Sequence, residues 1–118
     1  MPAKILLIET DEDIRHVITY ILEQAGFEVL HMNTTGDPDL ILQLRPNLVL
    51  IDEWFAGQPG HRLCARIKAL PLLAYVPVVI LSTASHIADI IKECRADAYI
   101  RKPFEVRELL ETVWERLA

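Results

Sequence analysis

Asp52 closes the apolar run LVLI with a carboxylate, Glu9 follows ILLI, Ser82 follows VVIL, and Lys102 lies two residues past AYI. A carboxylate can attack phosphorus and form an acyl phosphate, provided a cation offsets the repulsion between two anions. In such a site Asp52 is the nucleophile and Glu9 helps to hold Mg²⁺. Lys102 pairs with phosphoryl oxygens, and the Ser82 hydroxyl donates to them. The four residues are far apart in the chain, so this chemistry exists only if the fold brings the ends of the four runs to one edge.

The elements that would do so can be read from the apolar pattern. ILLI (5–8), LVLI (48–51), VVIL (78–81) and AYI (98–100) have strand length, and FEVLHM (27–32) alternates as a strand does. Unbroken hydrophobicity in the first three runs predicts burial on both faces, as in a parallel sheet covered by helices. Between the runs the apolar residues recur at helical spacing. Ile14, Val17, Ile18, Ile21, Leu22 and Ala25 form one stripe that stops at Gly26. DPDLILQLRPN predicts a short second helix, started by Asp37 and Pro38 and stopped by Pro46. Further stripes fall in 61–70, 86–94 and 105–117. Five β-α alternations predict right-handed crossovers and an open, doubly wound parallel sheet, a class whose flavodoxin-like form has the strand order 2-1-3-4-5. Ligands of such a sheet bind at the carboxyl ends of its strands.

Composition narrows the function classes. With 118 residues, 52% of them hydrophobic, the chain can bury one good core, and one domain over residues 1–118 is expected. A net charge of −5 disfavours nonspecific nucleic-acid binding. Cys64 and Cys94 form no CxxC pair and are expected as small core residues of a cytoplasmic protein. The opening MPAKILLIETDED has an apolar run too short for a signal peptide or a membrane span.

Four segments together resemble the receiver domain of two-component response regulators, over essentially the whole chain. KILLIETDEDIR resembles the first strand and acidic pocket, and PNLVLIDEWFAGQPG the phosphoacceptor loop. VPVVILST resembles the hydroxyl strand, and ADAYIRKPFEVREL the Tyr, Lys-Pro and last helix. The resemblance implies that Asp52 is the phosphoacceptor, Ser82 the switch hydroxyl, Tyr99 the rotating aromatic and Lys102 the lysine of the site. It also implies that the Trp54 backbone carbonyl is a metal ligand and that the Lys102–Pro103 bond is cis. The expected partners are a histidine kinase or phosphotransfer protein and a downstream protein or output domain, reached through the fourth helix, fifth strand and fifth helix; a homodimer is possible.

The chain departs from the receiver pattern it resembles at several points. Receivers usually end strand one with two acids, whereas this chain reads Glu9 and Thr10. Mg²⁺ prefers carboxylates, so binding is expected to be weak unless Asp11 replaces the missing acid. The usual proline four residues past the phosphoacceptor is Ala56, and the glycine before ADAY is Arg95. The stretch from Ser82 to Lys102 is about two residues shorter than usual, which predicts either a short fourth helix or a tight entry loop before it.

Each of these residues has a plainer reading. Glu9 and Asp52 can be solvated strand ends, and Thr10 can cap the first helix through its hydroxyl. Trp54 is either a loop aromatic or an indole cover over the site, and Trp114 either a partner contact or a core edge. His16, His31, His61 and His86 have no metal-ligand spacing and are expected at the surface or at helix starts. The main rival function is a binding module, a receiver that has lost efficient Mg²⁺-dependent phosphorylation. A haloacid dehalogenase-like hydrolase would need a general acid two residues past Asp52, where this chain has Trp54.

Overall fold

A computed structural model describes residues 2–32, 37–55, 58–83 and 87–118. The strands are β1 (Lys4–Ile8), β2 (Glu28–His31), β3 (Leu48–Asp52), β4 (Trp54–Phe55), β5 (Gln58–Pro59), β6 (Val78–Ser82) and β7 (Ala98–Arg101). The helices are α1 (Glu12–Gln24), α2 (Pro38–Leu44), α3 (Gly60–Ala69), α4 (Ile87–Cys94) and α5 (Val106–Leu117). Five strands pair in parallel in the order β2-β1-β3-β6-β7, which is 2-1-3-4-5 when these strands alone are counted. The antiparallel β4–β5 hairpin was not legible in the sequence. Ala56, between its strands, and His86, before α4, lie outside the described residues.

Every residue of β3 and β6 is buried, because helices cover both faces of the sheet. Successive side chains alternate between those faces. Leu6, Ile8, Val49, Ile51, Val78 and Ile80 pack with Ile41 of α2, Leu63, Cys64 and Ile67 of α3, and Cys94 of α4. Ile5, Leu7, Leu48, Leu50, Val79 and Leu81 pack on the other face with Ile18 and Leu22 of α1 and Leu109 and Val113 of α5. Ile100 of β7 belongs to this second face, so the intervening Tyr99 projects to the side of α3 and α4 and is exposed.

Two residues of the predicted stripes fall outside the core. Val17 and Val106 are 56% and 52% exposed, because both line an open groove between α1 and the start of α5. The two cysteines, distant in sequence, meet where α3 packs on α4. Both are buried, and the Cys64 thiol donates to the Cys94 carbonyl at 3.5 Å.

The end of the sheet opposite the carboxyl edge is tied by a buried lysine that carried no sequence signal. Lys68 Nζ donates to the Val76 carbonyl at 2.8 Å, the Ala74 carbonyl at 3.3 Å and Asp97 Oδ2 at 2.7 Å. Asp97 Oδ2 also accepts from the Val78 N–H at 2.8 Å. One ammonium thus pins the turn after α3 to the loop before β7.

Helix α4 is short, 8 residues, and Arg95 follows it at φ 62°, the left-handed conformation that the usual glycine adopts without a steric cost. Its N–H still closes the helix on the Ile91 carbonyl at 3.0 Å. Arg95→Gly is therefore expected to stabilise the fold by roughly 0.5–1 kcal/mol, since a side chain with a Cβ is strained at positive φ. Urea unfolding of parent and variant measures the difference, and a less stable variant would contradict the strain argument.

Candidate functional site

The strand registers place the predicted site residues. Ile8 pairs with Ile51, so Glu9 lies beside Asp52; Asp52 pairs with Leu81, so Ser82 is one step further out. Ser82 pairs with Arg101, and the Lys102 N–H donates to the Ser82 carbonyl at 2.9 Å. Four strands of the same sheet thus end in Glu9, Asp52, Ser82 and Lys102 along one carboxyl edge. The Lys102–Pro103 bond is cis.

Glu9, Asp52 and Ser82 are buried, at 4%, 8% and 3% exposure, so the reading of the two acids as solvated strand ends does not hold. Lys102 Nζ bridges them, bonded to Asp52 Oδ1 and, at 3.3 Å, to Glu9 Oε2. Burial pushes the Glu9 carboxyl above its ordinary range and the Asp52 charge adds to this, against the Asp11 N–H and Lys102. For Lys102 burial works against the charged form, but the hydrogen bond and charge of Asp52, with Glu9 behind them, outweigh it and raise the ammonium.

The Thr10 and Asp11 readings change. Asp11, not Thr10, caps α1: its Oδ1 accepts from the Ile14 N–H at 3.1 Å. The chain has turned far enough by Thr10 that the next residue, rather than Thr10, faces the open N–H groups of the helix. The Asp11 N–H donates to Glu9 Oε1 at 3.1 Å. Asp11 is thus engaged through both its side chain and its main chain, and Thr10 is exposed.

The acid beside Asp52 has a separate task. Glu53 accepts from the His61 N–H at 2.9 Å and from His61 Nδ1 at 3.1 Å, closing the first turn of α3. His61 is thus a helix-start residue, as expected, but half-buried against a partner. Gly60 is required at the same place, because a Cβ there would run into the Asp52 carbonyl and approach Ile51 Cγ2 to 2.8 Å. The Trp54 main chain follows directly in β4, while its indole lies outside the described part of the structure. Beside Lys102, an apolar groove of about 490 Å³ runs between Ile14, Val17 and Ile21 of α1 and Phe104 and Val106 at the start of α5.

The set of donors fits Mg²⁺, though sparsely. Two adjacent carboxylates, here Glu9 and Asp52, are what Mg²⁺ takes when phosphate and water complete its octahedron. Among the described residues no cluster of three His, Cys, Asp or Glu side chains offers a fuller cage. No helix among them is long and apolar enough to cross a membrane.

This sheet order and strand-end edge define a receiver-type α/β domain, and the chain belongs to the response regulator receiver domain family, whose model matches residues 5–114. It is 35% identical over 109 residues to the phosphate regulon transcriptional regulatory protein PhoB of Pseudomonas aeruginosa, covering 90% of this chain and 48% of that protein. The chain spans about half the length of the curated relatives it matches. Among solved structures it superposes on the receiver domain of a signal transduction histidine kinase from Syntrophus aciditrophicus with TM-score 0.86 at 30% identity, over 98% of this chain and 89% of that one. A CheY-like receiver domain protein from Methanospirillum hungatei also gives TM-score 0.86, at 27% identity over 99% of this chain and 94% of that one.

The charge triad has a stability consequence whose sign follows from the two shifts. Glu9, raised above 4.5, holds a proton in the folded state that the unfolded chain has released, so its contribution declines as pH rises from 4.5 through the folded value. Lys102, raised above 10.5, stabilises below that pH and its contribution is lost as pH rises through the folded value. Lys102→Met leaves two buried carboxylates facing each other. The variant should be less stable than the parent at pH 7.5 and recover as pH falls towards 5 and Glu9 takes up a proton. Urea melts at both pH values check this, and a deficit that does not depend on pH would refute it.

Proposed function

We propose that Asp52 accepts a phosphoryl group within a two-component phosphorelay. The observation that carries this reading is the Lys102 ammonium held between two buried carboxylates at the carboxyl edge of a receiver fold. An Asp52 oxygen attacks the phosphorus of a phosphohistidine, the P–N bond breaks, and the imidazole departs with the electron pair of that bond. Lys102, already bonded to Asp52, turns to the phosphoryl oxygens as Asp52 becomes an acyl phosphate. The Ser82 hydroxyl donates to another of those oxygens. Mg²⁺, when bound, would supply positive charge to offset that of the phosphoryl oxygens and the carboxylates. Glu9, Asp52 and the Trp54 carbonyl would hold it. On this reading the chain is a phosphoacceptor rather than an enzyme with a turnover substrate, and acts in the cytoplasm.

The donor is a histidine kinase or a phosphotransfer protein, and the apolar groove beside Lys102 supports a protein donor over a small molecule alone. Output passes through Ser82 and Tyr99 to the α4, β7 and α5 face, either to a separate protein, to an attached domain or to a second copy. The relatives include both a transcriptional regulator and a kinase receiver, so the output class is open to either arrangement.

Intact mass after incubation with acetyl phosphate tests the reading. The parent should gain one phosphoryl group only with Mg²⁺, and Asp52→Asn should gain none. Modification of Asp52→Asn to the level of the parent would remove Asp52 from the role.

A second reading has its own observation. Thr10 supplies no charge and Asp11 is occupied as a helix cap, which favours a receiver with weak Mg²⁺ binding that works through protein contacts. Thr10→Asp adds a carboxylate near the ion and is expected to tighten Mg²⁺ binding about tenfold or more, each tenfold being ~1.4 kcal/mol. Calorimetric titration of parent and variant decides it. Equal affinities would mean that the missing acid is already replaced in the parent.

A further inference from the structure

We propose that Glu53 is a positioning residue for the Mg²⁺ side of the site, tying itself to the start of α3 and so holding the Glu53–Trp54 main chain, with the Trp54 carbonyl, in place. This rests on the phosphoacceptor reading above.

Glu53 stands between the two residues assigned as ligands through a side chain and through a carbonyl. A free acid there would add a third negative charge to the cleft. Instead its side chain is only 14% exposed and turns to α3. Oε1 takes the His61 N–H at 2.9 Å, and Oε1 and Oε2 each lie 3.1 Å from His61 Nδ1. A carboxylate only accepts, so Nδ1 carries the proton. The main chain of Glu53 is fixed as well: its N–H donates to the Leu81 carbonyl of β6 at 2.8 Å, and its carbonyl accepts from Gly60 N–H. Glu53 is thereby bound to β6 on one side and to the first turn of α3 on the other.

The chain leaves Glu53 at Trp54 and returns to it at Gly60, so the direction of the Trp54 carbonyl depends on how firmly Glu53 is held. A ligand held in advance costs less ordering when the ion arrives, and outer partners of metal ligands commonly matter for that reason. The side-chain clamp belongs to this chain's own pairing of Glu53 with His61.

The test is calorimetric titration of Mg²⁺ into unphosphorylated protein, with phosphorylation by acetyl phosphate followed in parallel across Mg²⁺ concentrations, below the melting range of each variant. Glu53→Ala should raise the Mg²⁺ Kd roughly tenfold. The rate at saturating Mg²⁺ should change much less than the Mg²⁺ concentration needed to reach half of it. Glu53→Gln keeps an acceptor oxygen for the His61 N–H and should stay within about threefold of the parent. His61→Ala keeps its main-chain N–H and should weaken Mg²⁺ by about threefold, which tests the clamp even if Glu53→Ala does not fold. If Glu53→Gln is as weak as Glu53→Ala, the effect is a lost charge near the ion and the clamp is refuted. If the parent binds Mg²⁺ and is phosphorylated while Glu53→Ala binds equally well, the positioning role fails and the phosphoacceptor reading stands. If the parent neither binds Mg²⁺ nor gains phosphoryl mass, the phosphoacceptor reading fails and this proposal falls with it.

Discussion

Two buried carboxylates share one ammonium, and the site depends on that balance. Glu9 and Asp52 lie on neighbouring strands, where the Asp52 charge disfavours the charged form of Glu9, and Lys102 crosses from the edge strand to pair its one positive charge with both. The arrangement costs desolvation of three charged groups, which a fold selected for stability alone would avoid by filling the edge with apolar side chains. That the edge is charged and buried at once is what makes it chemically useful. An incoming phosphoryl group would meet a cation already in position and a carboxylate already short of water.

The sheet makes this possible because its strands are covered on both faces and open only at their ends. With β3 and β6 buried throughout, polar groups have nowhere to sit except past the last apolar residue. Parallel pairing then puts all such positions on the same edge. The groups at the opposite edge play another part: Lys68 and Asp97 tie loops together.

Around the site the chain spends its neighbouring acids on structure. Asp11 caps α1 and Glu53 clamps α3, so two carboxylates near the cleft are turned onto helix N-termini, where partial positive charge favours them. The cleft therefore carries fewer negative charges than a count of acids along ETDED and IDEW would suggest. Thr10, with no charge to place, is left exposed.

The strand order followed from the resemblance to receivers, but much else was legible in the residues alone: the continuous apolar runs, the helical stripes and the residue that ends each run determined a doubly wound parallel sheet and the meeting of Glu9, Asp52, Ser82 and Lys102 at its carboxyl edge. Those features rest on local periodicity and on a topology rule, and neither needs coordinates. Which residue caps α1 was not legible, because Thr10 and Asp11 can both cap and the choice depends on where the chain turns after Glu9. Nor were the Glu53–His61 clamp, the buried Lys68, the meeting of Cys64 with Cys94, or the exposure of Val17. Each depends on how far one helix face overlaps its neighbour, a distance set by packing across the whole domain and not by any residue's place in a pattern.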